Sequence, residues 1–394
     1  MKYYINEINP SGKIAVDDTL LIKGVPSTAG SKMLENFKPL FSAEVVERLE
    51  KAGFEISGKT NVGEFGLDLL GETSHFAEAE TSLKGAAASL VADKKIKAAL
   101  NVDLNGAPRR AAAISGVDFI KPTYGTVSRY GVIACACSGE QVGVTAENAE
   151  TMKEILSVIA GHDNKDGTSL PNEKYEYSLN EDVSSMKVAL ISELYDKASD
   201  DVKAKIDAFV KFLESKGAKV EKLSLDIVNA AQTAWQILMS AETCNNLSRF
   251  DGVKYGHRAA EYNNIDELYV KSRTEAFGFL TKATIIYGSD VLAKGKYESC
   301  YDKSMRIRRI VVDKVKEILA SYNAILTPVC SKTEYAPYNM SEAFAKVFEE
   351  SIFTAIPSIT GLPAVVCGGV QLIADAFKES TLLSIADKFE KEEA

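Results

Sequence analysis

The chain has 394 residues, of which 46% are apolar and 26% charged, and its formal net charge is −9. This length can bury a large core, while the moderate acidity excludes the broad basic surface that direct nucleic-acid binding requires. No apolar run has the length of a membrane span or a signal peptide, and six scattered cysteines indicate reduced thiols, so we expect a cytoplasmic location without membrane contact.

Helices and strands are predicted to alternate along the chain. Apolar spacing predicts a helix that is capped by Ser42 and ended by Gly53, with the strand FEIS after it. The same unit recurs as a helix over 201–217 followed by the strand AKVEKLSL. Further predicted elements are the buried strands KVALI (187–191) and AILTPV (324–329) and a helix over 306–320. This alternation predicts a layered α/β architecture.

The predicted domain organisation is a single domain over residues 1–394. Residues 1–11 form a short N-terminal extension, and the polar, turn-rich segment 164–185 is predicted to connect two halves. Residues 53–60, GFEISGKT, match the G-x-x-x-x-G-K-[ST] phosphate-loop pattern. That pattern binds phosphate only where a strand precedes it and a helix follows, whereas here the helix comes first. We therefore predict an ordinary helix–turn–strand.

Several stretches together resemble the amidase-signature family, most closely the A subunits of the glutamyl-tRNA(Gln)/aspartyl-tRNA(Asn) amidotransferases. The stretches are SKMLENF (31–37), GKTNVGEF (58–65), KPTYGTVSRYG (121–131), SRFDGVKYGHRA (248–259), ITGLPAVV (359–366) and GVQLIADAF (369–377). The resemblance implies an amidase-signature fold, in which a central mixed β-sheet is covered by helices on both faces.

The resemblance also implies a mechanism with a serine nucleophile, a bridging serine and a buried neutral lysine as base. Asp17 stands at the lysine position, in IAVDD, and Ala107 stands at the nucleophile position, in NVDLNGAPR. Ser82 or Leu83 falls opposite the bridging serine, in a stretch that lacks most of the family's loop glycines. A methyl group cannot attack an acyl carbon, so we expect no catalytic residues of the amidase type.

The candidate ligand-binding residues are Arg308, Asp103, Arg109, Ser128 and Ser351. Arg308 matches an arginine that would bind a ligand carboxylate in the related proteins. Arg306 or Arg309 could occupy the same position in the alignment. The alternative is that Arg308 lies on a solvent-exposed face of a basic helix.

Ser351 stands where the resemblance implies an acidic residue, with Glu350 beside it. Asp103 converges with Asp17 as a carboxylate pair, pairs with Arg109 or faces solvent. Ser128 matches a wall segment that fixes a loop or contacts a ligand.

These positions predict a catalytically inactive relative of the amidotransferase A subunits, which acts as a binding or scaffold protein. Its expected partners are B-like and C-like amidotransferase subunits or a small carboxylate ligand. We expect no cofactor, and three histidines that lie far apart in sequence argue against a metal site. The alternatives are a functional glutamine-hydrolysing subunit that supplies ammonia for tRNA amidation, and new chemistry built on Asp17, Asp103 and Arg109.

Overall fold

The computed structural model describes residues 3–76, 84–172 and 174–393, and these form one mixed sheet of eleven strands. The strands are β1 Tyr4–Glu7, β2 Ile14–Asp17, β3 Ile56–Thr60, β4 Ala98–Asp103, β5 Asp118–Lys121, β6 Gln141–Ala146, β7 Lys187–Ile191, β8 Lys219–Leu223, β9 Ala324–Thr327, β10 Ala364–Cys367 and β11 Val370–Ile373. Their order across the sheet is β1-β3-β2-β4-β6-β5-β10-β11-β9-β7-β8.

Thirteen α-helices within the described ranges flank this sheet, as the resemblance implied. They are α1 Glu44–Lys51, α2 Ala86–Ala92, α3 Ala107–Ser115, α4 Ala149–Ile159, α5 Ser192–Lys197, α6 Asp200–Ser215, α7 Val228–Leu247, α8 Ile265–Ala276, α9 Phe279–Val291, α10 Lys303–Leu319, α11 Ala343–Ser351, α12 Ala355–Thr360 and α13 Glu379–Glu393. Short 3-10 or π turns occupy Lys32–Leu34, Glu64–Gly66, Tyr297–Asp302 and Met340–Glu342. No helix in the described part of the chain is long and apolar enough to cross a membrane.

The first predicted helix forms, but its predicted N-cap is wrong. Helix α1 begins at Glu44 and its N-cap residue is Ala43, which offers no side-chain cap. Ser42 instead accepts a hydrogen bond from the backbone N–H of Lys23 at 3.0 Å, so its hydroxyl is engaged outside the helix. Gly53 does follow the helix with φ +88°, a conformation that favours glycine.

The phosphate-loop match is an ordinary strand, as predicted. Lys59 lies within β3 and is fully buried, with its Nζ 2.9 Å from Oδ1 of Asp18. The strand begins at Ile56, two residues later than the predicted FEIS. Because this lysine is already ion-paired inside the sheet, it is not placed to bind a phosphate.

The two halves of the chain share the sheet without interleaving. Strands β1–β6 precede the connection 164–185 and occupy one side of the sheet order, and β7–β11 follow it and occupy the other. The described residues of that connection form no helix or strand. Within the extension 1–11, residues 4–7 pair as an edge strand with β3. Both parts of the chain therefore contribute strands to one continuous sheet.

The sheet also brings the predicted site positions to one edge. Strand β2 lies between β3 and β4 and runs parallel to both. The carboxyl ends of parallel neighbours meet at the same edge of a sheet, which is where ligands bind in α/β folds. Asp17 ends β2, and Asp103 ends β4 just before helix α3.

The buried carboxyl group of Asp118 lies where the last helix, α13, packs on the sheet, beside the half-buried Glu390. Asp118 of β5 is buried, and burial together with the Glu390 carboxyl of α13 raises the pKa of Asp118 well above its usual value. Its stabilising contribution is therefore present below the unfolded pKa of ~3.9 and is lost as the pH rises through the folded pKa. We expect Asp118→Asn to raise the free energy of unfolding by about 1 kcal/mol at pH 8.

Urea unfolding of wild type and Asp118→Asn between pH 5 and pH 8 measures this effect. The wild type should lose stability relative to the variant as the pH rises, while the exposed Asp266→Asn on α8 should leave the wild-type pH dependence unchanged. Parallel pH profiles for wild type and Asp118→Asn would contradict the predicted coupling.

Candidate functional site

A cavity lies at the edge where β2 and β4 end. Asp17 and Ala107, the positions predicted to replace the lysine and the nucleophile, both line it. Further polar lining residues are Thr19, Asn61, Asp68, Asn101, Glu140 and Thr145, and the apolar lining includes Val62, Phe65, Leu70, Val102, Leu104, Pro108 and Ile133. None of the described lining residues is a serine, cysteine, lysine, arginine or histidine.

Asp17 is held in place by three donors and has no ion-pair partner among the described residues. Its Oδ1 accepts hydrogen bonds from the backbone N–H of Thr19 at 2.9 Å and from the Thr19 hydroxyl. Its Oδ2 accepts from the backbone N–H of Val102 at 2.6 Å. The residue is only 2% exposed, and burial raises the pKa of Asp17 to about 6. The carboxyl group is therefore uncompensated by a cation within its own pocket.

Asn101 is a second polar group in this cavity, and sequence pattern alone does not single it out. Its side-chain Oδ1 accepts a hydrogen bond from the Thr145 hydroxyl at 2.8 Å, across the β4–β6 pairing. That contact fixes the amide orientation and turns Nδ2 away from Thr145. No described residue accepts a hydrogen bond from Nδ2, although Asn101 is only 5% exposed. A ligand or water molecule in the cavity can accept a hydrogen bond from this amide.

Asp68 adds another carboxyl group to the cavity wall. It accepts hydrogen bonds from Gly71 N, Thr73 N and Thr73 Oγ1 at 2.8–3.1 Å. Burial and the neighbouring charge of Glu72 raise the pKa of Asp68 to about 7. A Cβ atom at Gly63 would lie 1.9 Å from Asp68 Oδ2, so only glycine permits this close approach.

Asp103 pairs with Arg109, which is one of the alternatives that the sequence left open. Both side chains are fully buried, and the guanidinium binds the carboxylate in a bidentate manner at 2.6 and 3.1 Å. The remaining donors of Arg109 go to Thr354 O, Gln371 Oε1 and Ser358 Oγ at 2.8–3.1 Å. The same aspartate accepts from the backbone N–H immediately before α3 at 3.0 Å. Neither residue lines the cavity, so this pair holds the start of α3 in place.

Arg308 differs in solvent exposure and ion pairing from Arg306 and Arg309, the other two candidate arginines on α10. Arg306 and Arg309 form exposed ion pairs with Asp302, just before the helix, and Asp313, whereas Arg308 is half-buried. The hydrogen bond described for its guanidinium is a long one, from Nη2 to Ser138 O at 3.4 Å. Arg308 is not among the described residues that line the cavity with Asp17. Its donors are nevertheless available for a ligand carboxylate.

Ser128 and Ser351 are both fully buried and engaged with protein groups. The Ser128 hydroxyl donates to Asp163 Oδ2 at 2.6 Å and accepts from Tyr130 N, which fixes the loop that carries it. The Ser351 hydroxyl donates to Phe348 O at 2.7 Å. Ser82 and Leu83, the candidates for the bridging position, lie outside the described residues.

The mixed sheet flanked by helices defines an amidase-type α/β protein. Residues 13–383 match the amidase family, and the chain belongs to that family. Within it, the chain is closely similar to the A subunits of glutamyl-tRNA(Gln) amidotransferases.

Two relatives of that name illustrate the similarity. The protein from Lachnospira eligens is 36% identical over 96% of this chain and 83% of its own length. The protein from Agathobacter rectalis is 37% identical over 96% of this chain and 80% of its own length. The crystal structure of the corresponding protein from Thermotoga maritima superposes with a TM-score of 0.80 at 27% identity, covering 99% of this chain and 87% of that one.

Proposed function

We propose that this protein is a noncatalytic relative of the amidotransferase A subunits and that it acts by binding. The observation that carries the proposal is the composition of the cavity. Asp17 and Ala107 both face it, and the described lining offers neither a serine or cysteine nucleophile nor a lysine or histidine base. Amide hydrolysis by the family's chemistry needs both groups in one pocket.

The two hydroxyl groups among the described lining residues support the same proposal. Thr19 donates to the Asp17 carboxyl group, and Thr145 donates to Asn101. A carboxyl group whose pKa is about 6 is a weak base for removing a proton from a threonine hydroxyl. Each hydroxyl is therefore used to position a neighbour.

The proposed partners follow from the relatives, whose names describe them as subunits. We propose that B-like and C-like amidotransferase subunits bind this chain in the cytoplasm, without direct nucleic-acid contact by a protein of net charge −9. A small carboxylate is a further candidate ligand, at Arg308, because its guanidinium retains unused donors.

The second candidate function is that of an active glutamine-hydrolysing subunit that supplies ammonia for tRNA amidation. The similarity favours it, since relatives that carry the amidotransferase name are 35–37% identical across 96% of the chain. This candidate needs a nucleophile other than Ala107 and a base other than Asp17.

Ammonia release from glutamine, asparagine and simple amides tests both candidates. We expect none above background from the purified protein, either alone or mixed with B-type and C-type subunits from the same cell. A homologous protein that carries the serine and the lysine serves as the positive control. Co-purification of a stable complex without ammonia release would support the binding role.

Ammonia release that a substitution in this chain abolishes would overturn the proposal. Thr19→Val is the first substitution to test, because its hydroxyl lies against the Asp17 carboxyl group within the cavity. Release that survives Thr19→Val and Asp17→Asn would instead point to a contaminating enzyme.

A further inference from the structure

The described lining of the cavity carries polar groups that differ from those of the amidase mechanism. Asp17 and Asn101 lie on the adjacent parallel strands β2 and β4, and both face the same space. Asp17 offers an acceptor, and Asn101 offers a donor that no described residue uses. The pair can therefore satisfy a ligand that carries one donor and one acceptor.

The charges of the residues that line the cavity indicate which class of ligand it can bind. The titratable groups that line the cavity are the carboxyl groups of Asp17, Asp68 and Glu140, and no described lining residue is basic. The cation that acts on Asp17 from the neighbouring strand is Lys59, and its ammonium is already paired with Asp18 at 2.9 Å. Glu140 is paired at 3.4 Å with the guanidinium of Arg129, which is not one of the described residues that line the cavity. A buried carboxylate without a counter-ion attracts a cation and disfavours an anion.

We propose that the cavity binds a small protonated primary amine that also carries a hydrogen-bond acceptor. The ammonium group contacts the Asp17 carboxylate, and the acceptor receives the Nδ2–H of Asn101. This site is distinct from the carboxylate candidate at Arg308, which does not line the cavity. This proposal rests on the noncatalytic binding role proposed above, because it requires that the ligand leaves the cavity chemically unchanged.

The amide donor of Asn101 distinguishes this site from a simple cluster of acidic residues. The residue is only 5% exposed, yet Nδ2 lacks a partner in the described structure. The contact with Thr145 occupies its acceptor oxygen, and Asn101 lines the cavity, so a ligand oxygen there can accept a hydrogen bond from Nδ2.

Three probes of similar size test the ligand class by calorimetry at pH 7.5. Ethanolamine carries the ammonium and a hydroxyl, ethane-1,2-diol lacks the charge, and glycolate reverses it. We expect saturable binding of ethanolamine that is at least about tenfold tighter than that of either other probe. Binding of ethanolamine should weaken as the pH falls through about 6, because protonation of Asp17 removes the charge of its carboxylate. The other titratable groups in and around the cavity are Asp68, Glu72, Glu140 and Lys59.

Two variants assign the binding to these residues. Asp17→Asn should weaken ethanolamine binding about tenfold and remove its dependence on pH, and Asn101→Ala should weaken it several-fold while leaving the Asp17 contacts intact. The exposed substitutions Asp266→Asn and Asn245→Ala are matched controls that should bind ethanolamine as the wild type does.

Equal or tighter binding of glycolate, absence of ethanolamine binding, or ethanolamine binding unchanged by Asn101→Ala in a folded protein would each overturn the proposal. Ammonia measured in parallel from amide substrates distinguishes this failure from failure of the noncatalytic role. A protein that binds ethanolamine and releases no ammonia supports both proposals, whereas one that releases ammonia but binds no amine contradicts both.

Discussion

Replacing Arg109 by methionine is expected to lower the free energy of unfolding by about 3–5 kcal/mol, the cost of leaving a buried charge without its partner. Arg109 and Asp103 are both fully buried, and the guanidinium also reaches three further acceptors contributed by residues 354, 358 and 371. Methionine keeps much of the volume but leaves Asp103 uncompensated in the core. Urea unfolding monitored by circular dichroism measures the loss.

Arg309→Met is a matched control for this prediction. Arg309 also pairs with an aspartate, at 2.9 Å, but its side chain is 78% exposed on α10. Exposed pairs of this kind contribute about 0.3–0.5 kcal/mol, so the control should change stability by no more than that. A second variant, Asp103→Asn combined with Arg109→Met, should be less destabilised than the sum of the single changes, because it removes both charges together. Similar losses in Arg109→Met and Arg309→Met would contradict the structural role of the buried pair.

Sequence reasoning placed the family and the α/β architecture correctly, because both depend on local pattern. The motif around Asp17 ends one strand, and the motif around Ala107 follows another. Parallel strands bring such positions together at one edge of a sheet. The phosphate-loop match was likewise resolved by the order of helix and strand alone.

The contacts that decide the chemistry were not visible in the sequence, because they join distant segments. Arg109 is satisfied by residues about 250 positions later in the chain, so sequence left its partner open. Asn101 occupies a buried position in β4 and becomes a candidate only when Thr145 of the antiparallel partner β6 is seen to hold its amide oxygen. The Ser42 cap failed for a similar reason, since the backbone of Lys23 engages its hydroxyl.

Restoring the family's groups by Asp17→Lys with Ala107→Ser is expected to give an unstable protein that releases no ammonia. Three donors, Thr19 N, the Thr19 hydroxyl and Val102 N, converge on the side chain at position 17. These donors stabilise a carboxylate and oppose an ammonium group. We expect the double variant to lose about 3–5 kcal/mol of unfolding free energy, as for a buried charge without compensation. Unfolding by urea and ammonia release from glutamine measure the two outcomes.

The two single variants, Ala107→Ser and Asp17→Lys, show which substitution lowers the stability of the double variant. Ala107→Ser adds one hydroxyl at the cavity wall, so the variant should fold with a stability within about 0.5 kcal/mol of the wild type and stay inactive for want of a base. Asp17→Lys alone should account for nearly all of the lost stability, while Asp226→Lys at an exposed position should be tolerated. A folded double variant that hydrolyses glutamine would contradict the prediction, because it would require the donors around position 17 to turn away from a lysine. The geometry of the three donors around position 17 therefore favours a carboxyl group over an ammonium group there.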